Sequence, residues 1–421
     1  MRTLPDGLDG AIMAVESIED AAAFLHGPGG CRVRLMVHST AVFPRDDCDD
    51  RCFIPYYNGY PRVPATYLDE YDYINGASYK LDEGLGIVGS REPNLVVTVD
   101  SPGASLIGDD HDGAISRAGM SDRALHIDSD MFSMPMQWSY GHTLAAVMEH
   151  LSPERKEARK GTVILMGLTI MDKDWMDSRD ELISYLEDMG LEVLCCPGAG
   201  ASTEELKASV DAEYAVVVCP ESCSGLLEYY RGKGVEVIVS DAGAPVGFDA
   251  LRSWIGAVAE ATGTDPSVPL ARVEAEEVRI TNRLVGTRYN VARIRGLTFS
   301  VAGISSVVRP MTEWLYSYIA MAPVAVSLDP GSDEHQASML KEFLERTDYA
   351  EAFGKEPVEG CDVVLSEGIT AYTMKFNGTC SIGIAIGQSS MGLDDVIPRP
   401  IFGIHGVRYI LDEMMHGVRG S

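Results

Sequence analysis

The motif His26-Gly-Pro-Gly-Gly-Cys31 places a cysteine in a turn that is dense in glycine. Glycine lets a backbone come close to a bulky inorganic group, and a thiolate in such a turn can bind iron. The motif follows Ala11 to Phe24, a segment whose small and apolar residues predict a helix. The alternative interpretation is a glycine turn that buries an ordinary cysteine, and the motif alone leaves both open.

Two cysteine segments and one histidine are further candidates for metal or ligand binding. Cys48 and Cys52 lie on a polar stretch with three residues between them, a wider gap than the usual CxxC spacing of metal sites. Cys219 ends a predicted buried strand, and ligands of open α/β folds bind at that edge of the sheet; a core cysteine is the alternative. His405 stands just before the last predicted helix, either as a ligand or as a structural histidine. Packing in the core is the predicted role of Cys195, Cys196, Cys361 and Cys380.

Several classes of enzyme lack their sequence signatures here. There is no GxxxxGK[ST] loop, which excludes a P-loop nucleotide hydrolase, and no GxGxxG follows a strand where a dinucleotide site would need it. Neither HExxH nor GxSxG occurs, so zinc-protease and α/β-hydrolase chemistry are not supported.

The overall composition argues against some classes of binding partner. The 421 residues include 34 Lys and Arg against 63 Asp and Glu, a net charge of −29 that would repel nucleic acid and anionic membranes. No run of 18 apolar residues predicts a membrane span. Nine irregularly spaced cysteines do not form a disulfide pattern, so we expect a reducing, cytoplasmic location in which free thiols can bind metal.

Alternating strands and helices predict an α/β protein with parallel sheets flanked by helices. The alternation is clearest from 161 to 263 and resumes from 297 to 416 after a long helical segment, while the first 150 residues contain a predicted strand from Leu95 to Val99. Polar stretches at 152–160 and 262–267 are the predicted linkers. The predicted domains are therefore 1–155, 160–265 and 268–421.

Taken together and in order, the motifs resemble the landmarks of nitrogenase component 1-type proteins. Those that carry the resemblance are His26-Gly-Pro-Gly-Gly-Cys31, Asp72-Tyr-Ile-Asn-Gly-Ala-Ser-Tyr-Lys-Leu81, Leu106-Ile-Gly-Asp-Asp110, Asp241-Ala-Gly-Ala-Pro-Val-Gly-Phe-Asp249 and Gly403-Ile-His-Gly406. The resemblance implies three Rossmann-like domains and pairing with an identical or homologous component 1 subunit. It also implies an iron–sulfur cluster, [4Fe–4S], shared across the subunit interface, and reduction by a separate ATP-dependent iron protein.

The cysteines of this chain depart from the family pattern. Cys31 matches one of three family cysteines, but the other two positions fall near Pro5-Asp6 and Asp100-Ser101-Pro102, which hold none. Because a cubane cluster needs four ligands, two arrangements stay open. Either a non-identical partner supplies three ligands beside Cys31, or a homodimer supplies Cys31 twice and Cys48 or Cys52 twice.

The resemblance also places Cys219 and His405 close to the positions that hold the large metallocofactor of nitrogenase. They would bind that second metallocofactor or line a cavity for a tetrapyrrole between the domains. We therefore expect the catalytic component of a nitrogenase-like reductase, with a tetrapyrrole as the favoured substrate because the cysteine set is incomplete. The alternatives are a scaffold on which a metal cluster is assembled and handed on, and a binding protein that has lost its cluster.

Overall fold

Three parallel sheets form the framework of the protein in its computed structural model. The structure describes residues 2, 4–43, 56–57, 60–127, 131, 133–286, 294–357, 360–387 and 397–420. Cys48 and Cys52 lie outside these ranges. The strands are β1 (Ala21–His26), β2 (Tyr56–Tyr57), β3 (Tyr60–Pro61), β4 (Leu95–Asp100), β5 (Ala124–Ile127), β6 (Arg159–Met166), β7 (Glu192–Cys195), β8 (Ala212–Val217), β9 (Glu236–Ile238), β10 (Thr298–Gly303), β11 (Ala322–Leu328), β12 (Val363–Ser366) and β13 (Ile382–Ala385).

Helices connect the strands and cover the sheets. They are α1 (Gly7–Glu16), α2 (Gly29–Val42), α3 (Glu70–Asn75), α4 (Ser78–Gly89), α5 (His111–Arg117), α6 (Met136–Leu151), α7 (Trp175–Asp188), α8 (Thr203–Ala208), α9 (Ser224–Gly232), α10 (Gly247–Thr262), α11 (Ser267–Gly286), α12 (Ser305–Trp314), α13 (Glu334–Arg346), α14 (Gly368–Phe376) and α15 (Gly403–Gly420). Within the described part of the chain, none of them is both long and apolar enough to cross a membrane.

The first sheet has the strand order β1-β4-β5 and corrects one expectation from the sequence. The predicted helix from Ala11 to Phe24 is wrong, because α1 ends at Glu16 and the chain from Ala21 onward is strand β1. The side chains of β1 are buried throughout, and the strand pairs in parallel with β4. Burial and pairing in the sheet outweigh the helix propensity of its three alanines. Consequently the glycine motif follows a strand, not a helix.

The second and third sheets confirm the predicted alternation of strands and helices. Their strand orders are β7-β6-β8-β9 and β11-β10-β12-β13, and every pairing is parallel. Buried strands such as β12 and β13, in which most residues are apolar, are typical of parallel sheets that helices cover on both faces. The predicted α/β class with three Rossmann-like units is thereby confirmed, whereas the boundaries 1–155, 160–265 and 268–421 stay predictions.

A continuous apolar core joins the three sheets. Buried residues of each sheet, for example Leu25, Val163 and Val301, belong to the same hydrophobic cluster. Helix α6 packs on α1 and on α9, and a Cβ atom at Gly141 would lie 3.0 Å from the backbone of Cys223. This close approach fixes the first sheet relative to the second, so the sheet edges that carry functional side chains keep a defined arrangement.

Candidate functional site

Cys31 lies in the first turn of α2, directly after the turn that leaves β1. A Cβ atom at Gly27 would lie 2.8 Å from the side chain of Ser101, so glycine is needed where this turn approaches the end of β4. The side chain of Cys31 is partly exposed. The other cysteines in the described part of the chain have buried side chains: Cys195, Cys196, Cys219, Cys223, Cys361 and Cys380. Packing is confirmed for the four cysteines predicted to be core residues.

Exposed apolar side chains flank the start of α2. Val33 and Val37 on this helix are each about half exposed. Tyr67 is also half exposed and would contact a Cβ atom at Gly29, while Leu106, which follows β4, is 88% exposed. Apolar surface gathered in this way is typical of a region that contacts another protein.

His405 lies at the start of α15, where an acidic pair from α7 holds it. Its Nδ1 atom is 2.8 Å from Oδ2 of Asp177 and 3.5 Å from Oε2 of Glu181. The backbone N–H groups of Ile404 and His405 both donate to Glu181, at 2.8 and 3.1 Å, which suits a carboxylate at a helix N-terminus. Burial raises the pKa of Glu181, although these N–H groups and the Tyr185 hydroxyl oppose the shift. One imidazole and two carboxylates so close together could hold a metal ion.

The same histidine lines a cavity between α7, α11 and α15. The cavity has a volume of about 490 Å³, and its wall combines the guanidinium groups of Arg279 and Arg408 with apolar side chains such as Ile280. Both arginines donate to Glu276, whose pKa falls to about 2 because the hydrogen bond from Arg408, followed by that from Arg279, outweighs its burial. The wall also carries the carboxylates of Asp177, Glu276 and Asp412, so the cavity can accommodate an organic molecule that has both apolar surface and charged or polar groups.

Cys219 lies elsewhere, in an enclosed position just beyond β8. It is 1% exposed and does not line the cavity that His405 lines. A Cβ atom at Gly167 would lie 2.4 Å from the carbonyl oxygen of Cys219, so the two backbones are in close contact. Burial raises the pKa of the Cys219 thiol well above its usual range, and the negative charges of Asp172 and Glu221 add to this. The thiol is accordingly protonated in this environment.

The segment after Cys219 connects the second sheet to the third. Oε1 of Glu221 accepts hydrogen bonds from the backbone N–H of Ser306 and from the hydroxyl of Ser305, both at 3.0 Å. The hydroxyl of Ser306 donates to Oε2 at 2.7 Å. This buried carboxylate therefore binds the N-terminus of α12 and supports the packing around Cys219.

A group of metal-type donors also lies close to the Cys31 turn. Ligand atoms of His26, Asp100 and His111 all lie within 4.8 Å of one another, and all three side chains are buried. The sequence analysis did not identify this group, because its members come from separate segments that only the parallel pairing of β1 and β4 brings together. One sequence feature could have indicated it: His26 ends β1 and Asp100 ends β4, and ligands of parallel sheets bind at that edge.

Comparison with known proteins assigns the chain to a protein family. The family model described as nitrogenase component 1 type oxidoreductase matches residues 7–418. A subunit of the light-independent protochlorophyllide reductase of Rhodopseudomonas palustris (strain TIE-1) is 21% identical over 338 residues, which are 77% of this chain and 62% of the relative. Its counterpart from Methylobacterium sp. (strain 4-46) is 25% identical over 186 residues, 42% of this chain and 36% of the relative. The chain thus spans less than two thirds of the length of these relatives.

The fold has a close counterpart among solved structures. The structure of nitrogenase Cp1 at pH 6.5 matches with a TM-score of 0.78 at 15% identity, over 100% of this chain and 94% of the other. At this identity the match concerns the fold, which is the one that the ordered motifs imply. Since the family model extends over almost the whole sequence, the chain belongs to the nitrogenase component 1 type oxidoreductases.

Proposed function

We propose that the chain is the catalytic component of a nitrogenase-like, iron–sulfur-dependent reductase that acts on a tetrapyrrole. The observation that carries the proposal is the family match over residues 7–418 together with relatives that are protochlorophyllide reductase subunits. In this function an ATP-dependent iron protein delivers electrons one at a time. Cys31 would hold the cluster through which the electrons reach a substrate bound between the domains.

The residues around Cys31 fit one ligand of a shared [4Fe–4S] cluster. Such a cluster needs four ligands, and in the described part of the chain Cys31 is the cysteine with an exposed side chain. The other ligands would come from an identical or homologous component 1 subunit, and Cys48 and Cys52 remain candidate ligands for the homodimeric arrangement. The apolar side chains of Val33, Val37 and Leu106 support a contact between subunits next to this thiol. When bound, the cluster supplies one-electron transfer.

The cavity beside His405 fits the proposed substrate. Arginines at its wall would bind the carboxylates of a tetrapyrrole, and the apolar part of the wall would contact the macrocycle. Asp177 accepts a hydrogen bond from Nδ1 of His405, which fixes the ring in the orientation needed to donate a proton or to bind a metal from its other nitrogen. Of the two predicted cofactor-binding residues, His405 is the better placed, because it lines the cavity, whereas Cys219 is enclosed and does not.

A turnover assay tests the proposal. The chain is co-expressed anaerobically with the iron protein and the second component 1 subunit that neighbouring genes encode, and the reduction of protochlorophyllide and of nickel-containing tetrapyrroles is followed by absorption. We expect a spectral change that requires both ATP and the iron protein. If the complex transfers its cluster to another protein and reduces none of these substrates, the chain is an assembly scaffold and the proposal is wrong.

A further inference from the structure

The carboxyl edge of the first sheet gathers three histidines and two aspartates. His26 ends β1, Asp100 ends β4, His126 lies on β5, and His111 is the first residue of α5. Asp109 lies beside His26. No single stretch of the sequence contains this set. The family resemblance places a cluster-cysteine position near Asp100, but it assigns no role to the three histidines.

Three of these side chains, those of His26, Asp100 and His111, meet around one point, and His126 lies beside them. Nε2 of His111 lies 2.9 Å from Oδ1 of Asp100, and Nε2 of His126 lies 3.3 Å from Oδ2 of the same carboxylate. A ring nitrogen of His26 completes a group whose donor atoms lie within 4.8 Å of those of Asp100 and His111. Ligands at the usual zinc–nitrogen distance in a tetrahedral site are about 3.3 Å apart, so these atoms need only small movements to surround an ion.

The neighbours of the group orient it in the way that metal sites require. Nε2 of His26 lies 3.1 Å from Oδ2 of Asp109, and Nδ1 of His111 lies 3.1 Å from the hydroxyl oxygen of Thr98. Asp109 is itself fixed by the backbone N–H of Ala77 and the hydroxyl of Ser78. An outer hydrogen bond to one ring nitrogen sets the tautomer and leaves the other nitrogen to bind a metal.

One buried atom of the group lacks the partner that its burial calls for. His26 is fully buried, and its Nδ1 atom has no hydrogen-bond partner in the described part of the chain. An unpaired buried nitrogen costs free energy, because it has lost its hydrogen bonds to water. A bond to a metal ion would remove this cost.

We propose that His26, Asp100 and His111 form a binding site for one divalent transition-metal ion such as zinc, with His126 beside them on the same carboxylate. Two imidazoles and one carboxylate match the ligands of a zinc site that keeps an open fourth position, and they are poorly suited to magnesium. The ion would join the ends of β1 and β4 directly behind the turn that carries Cys31. The site has no thiolate ligand, which distinguishes it from a cluster held by Cys31.

Metal titration of the full-length chain tests the site. The protein is stripped with a chelator and titrated by calorimetry with zinc chloride, with magnesium chloride as the control salt. We expect about one equivalent of zinc to bind and no saturable binding of magnesium. Cobalt(II) in place of zinc should give the visible absorption of a tetrahedral site without a thiolate charge-transfer band. If zinc does not bind saturably, or if cobalt binds through a thiolate, the proposal is wrong.

Matched variants identify the ligands. H111Q should weaken zinc binding at least about 100-fold, and D109N, which alters the partner of His26, about 10–100-fold. Two control variants should bind zinc as the wild type does. H416Q alters an exposed histidine of α15, and C31A alters the proposed cluster ligand. Unchanged zinc binding in C31A would therefore separate this site from the cluster. Circular dichroism checks that each variant is folded. If H111Q is not folded, the zinc affinity of D109N and the cobalt spectrum decide whether the site exists. Undiminished zinc binding in a folded H111Q variant would overturn the assignment.

Discussion

His405 is held from two sides at the wall of the cavity. Asp177 binds its ring at 2.8 Å, and its own backbone N–H donates to Glu181. A side chain fixed in this way loses little further conformational entropy when it binds a ligand. The proposed binding role of His405 can therefore be tested by substitution, because its ring is partly exposed and the fold depends little on it.

We predict that H405A weakens tetrapyrrole binding at least about tenfold, since it removes a hydrogen-bonding group from the cavity wall. The control is H416A, because His416 lies on the same helix, is exposed and interacts with Asp412 one turn earlier. Binding is measured by absorption titration of the purified complex. Equal affinities of the two variants would exclude a role for His405 in the site.

Some residues of the candidate sites could be predicted from the sequence, and others could not. Cys31 and His405 could be proposed as site residues because each stands in a short motif. His111 and His126 could not, since their shared contact with Asp100 depends on the register between β4 and β5 and on the start of α5. A contact that tertiary packing creates leaves no local pattern.

At the scale of elements, the N-terminus of α15 depends on one glycine. Gly403 has a φ of +68°, and a Cβ atom there would lie 2.6 Å from the carboxylate of Glu181. The missing side chain thus lets Glu181 accept hydrogen bonds from the first N–H groups of the helix. The close contact between Gly403 and Glu181 therefore explains the glycine of the motif before His405 as well as ligand binding would.

We predict that G403A lowers the free energy of unfolding by about 2–4 kcal/mol, from strain at positive φ and from the clash with Glu181. G263A is the matched control, because Gly263 has a φ of +69° and open space around its Cβ position. It should lose about 1–2 kcal/mol from backbone strain alone. Urea unfolding of both variants measures the difference, and equal losses would show that the contact with Glu181 is unimportant.

Helix α1 contains a carboxylate whose ionisation opposes folding. Burial, followed by the charge of Asp6, raises the pKa of Asp9 to about 6, although Arg34 opposes the shift. Between the ordinary pKa of an aspartate and this value, the folded state keeps a proton that the unfolded chain has lost. Stability from this group is therefore present at low pH and is lost as the pH rises through about 6.

We predict that the free energy of unfolding of the wild type falls relative to that of D9N as the pH rises from about 4 to about 6.5. The N-cap residue variant D6N provides the comparison, since it keeps Asp9 and should retain a pH dependence in that range. Urea unfolding at a series of pH values gives the three curves. A difference between wild type and D9N that does not change with pH would contradict the raised pKa.

Elements differ in how far the sequence determines them. The strands of the second sheet, such as β6 and β8, could be predicted because short apolar runs alternate there with helices that end at glycine. Strand β1 could not, because its alanines favour a helix locally and only its place beside β4 makes it a strand. Burial in a parallel sheet is a property of the whole unit, not of the segment.

At the scale of the whole molecule, the proposed shared site rests on Cys31, the one partly exposed cysteine in the described part of the chain, and on exposed apolar side chains of α2. The net charge of −29 would favour contact with a basic surface of a partner. Domain order could be predicted because the motifs occur along the entire chain in the family order. The number of subunits could not, since a partner's ligands leave no trace in this sequence.

The account rests on the claim that the Cys31 thiolate binds iron of a shared cluster, and substitution of that residue tests it most directly. The wild type, C31A and the control C380A, which alters a buried cysteine just before β13, are each purified anaerobically with the partner subunit. Iron, acid-labile sulfide and the visible absorption of the cluster are then measured. We predict that C31A loses most of the sulfide and the cluster absorption while C380A retains both. A C31A complex with the full wild-type content of iron and sulfide would contradict the account.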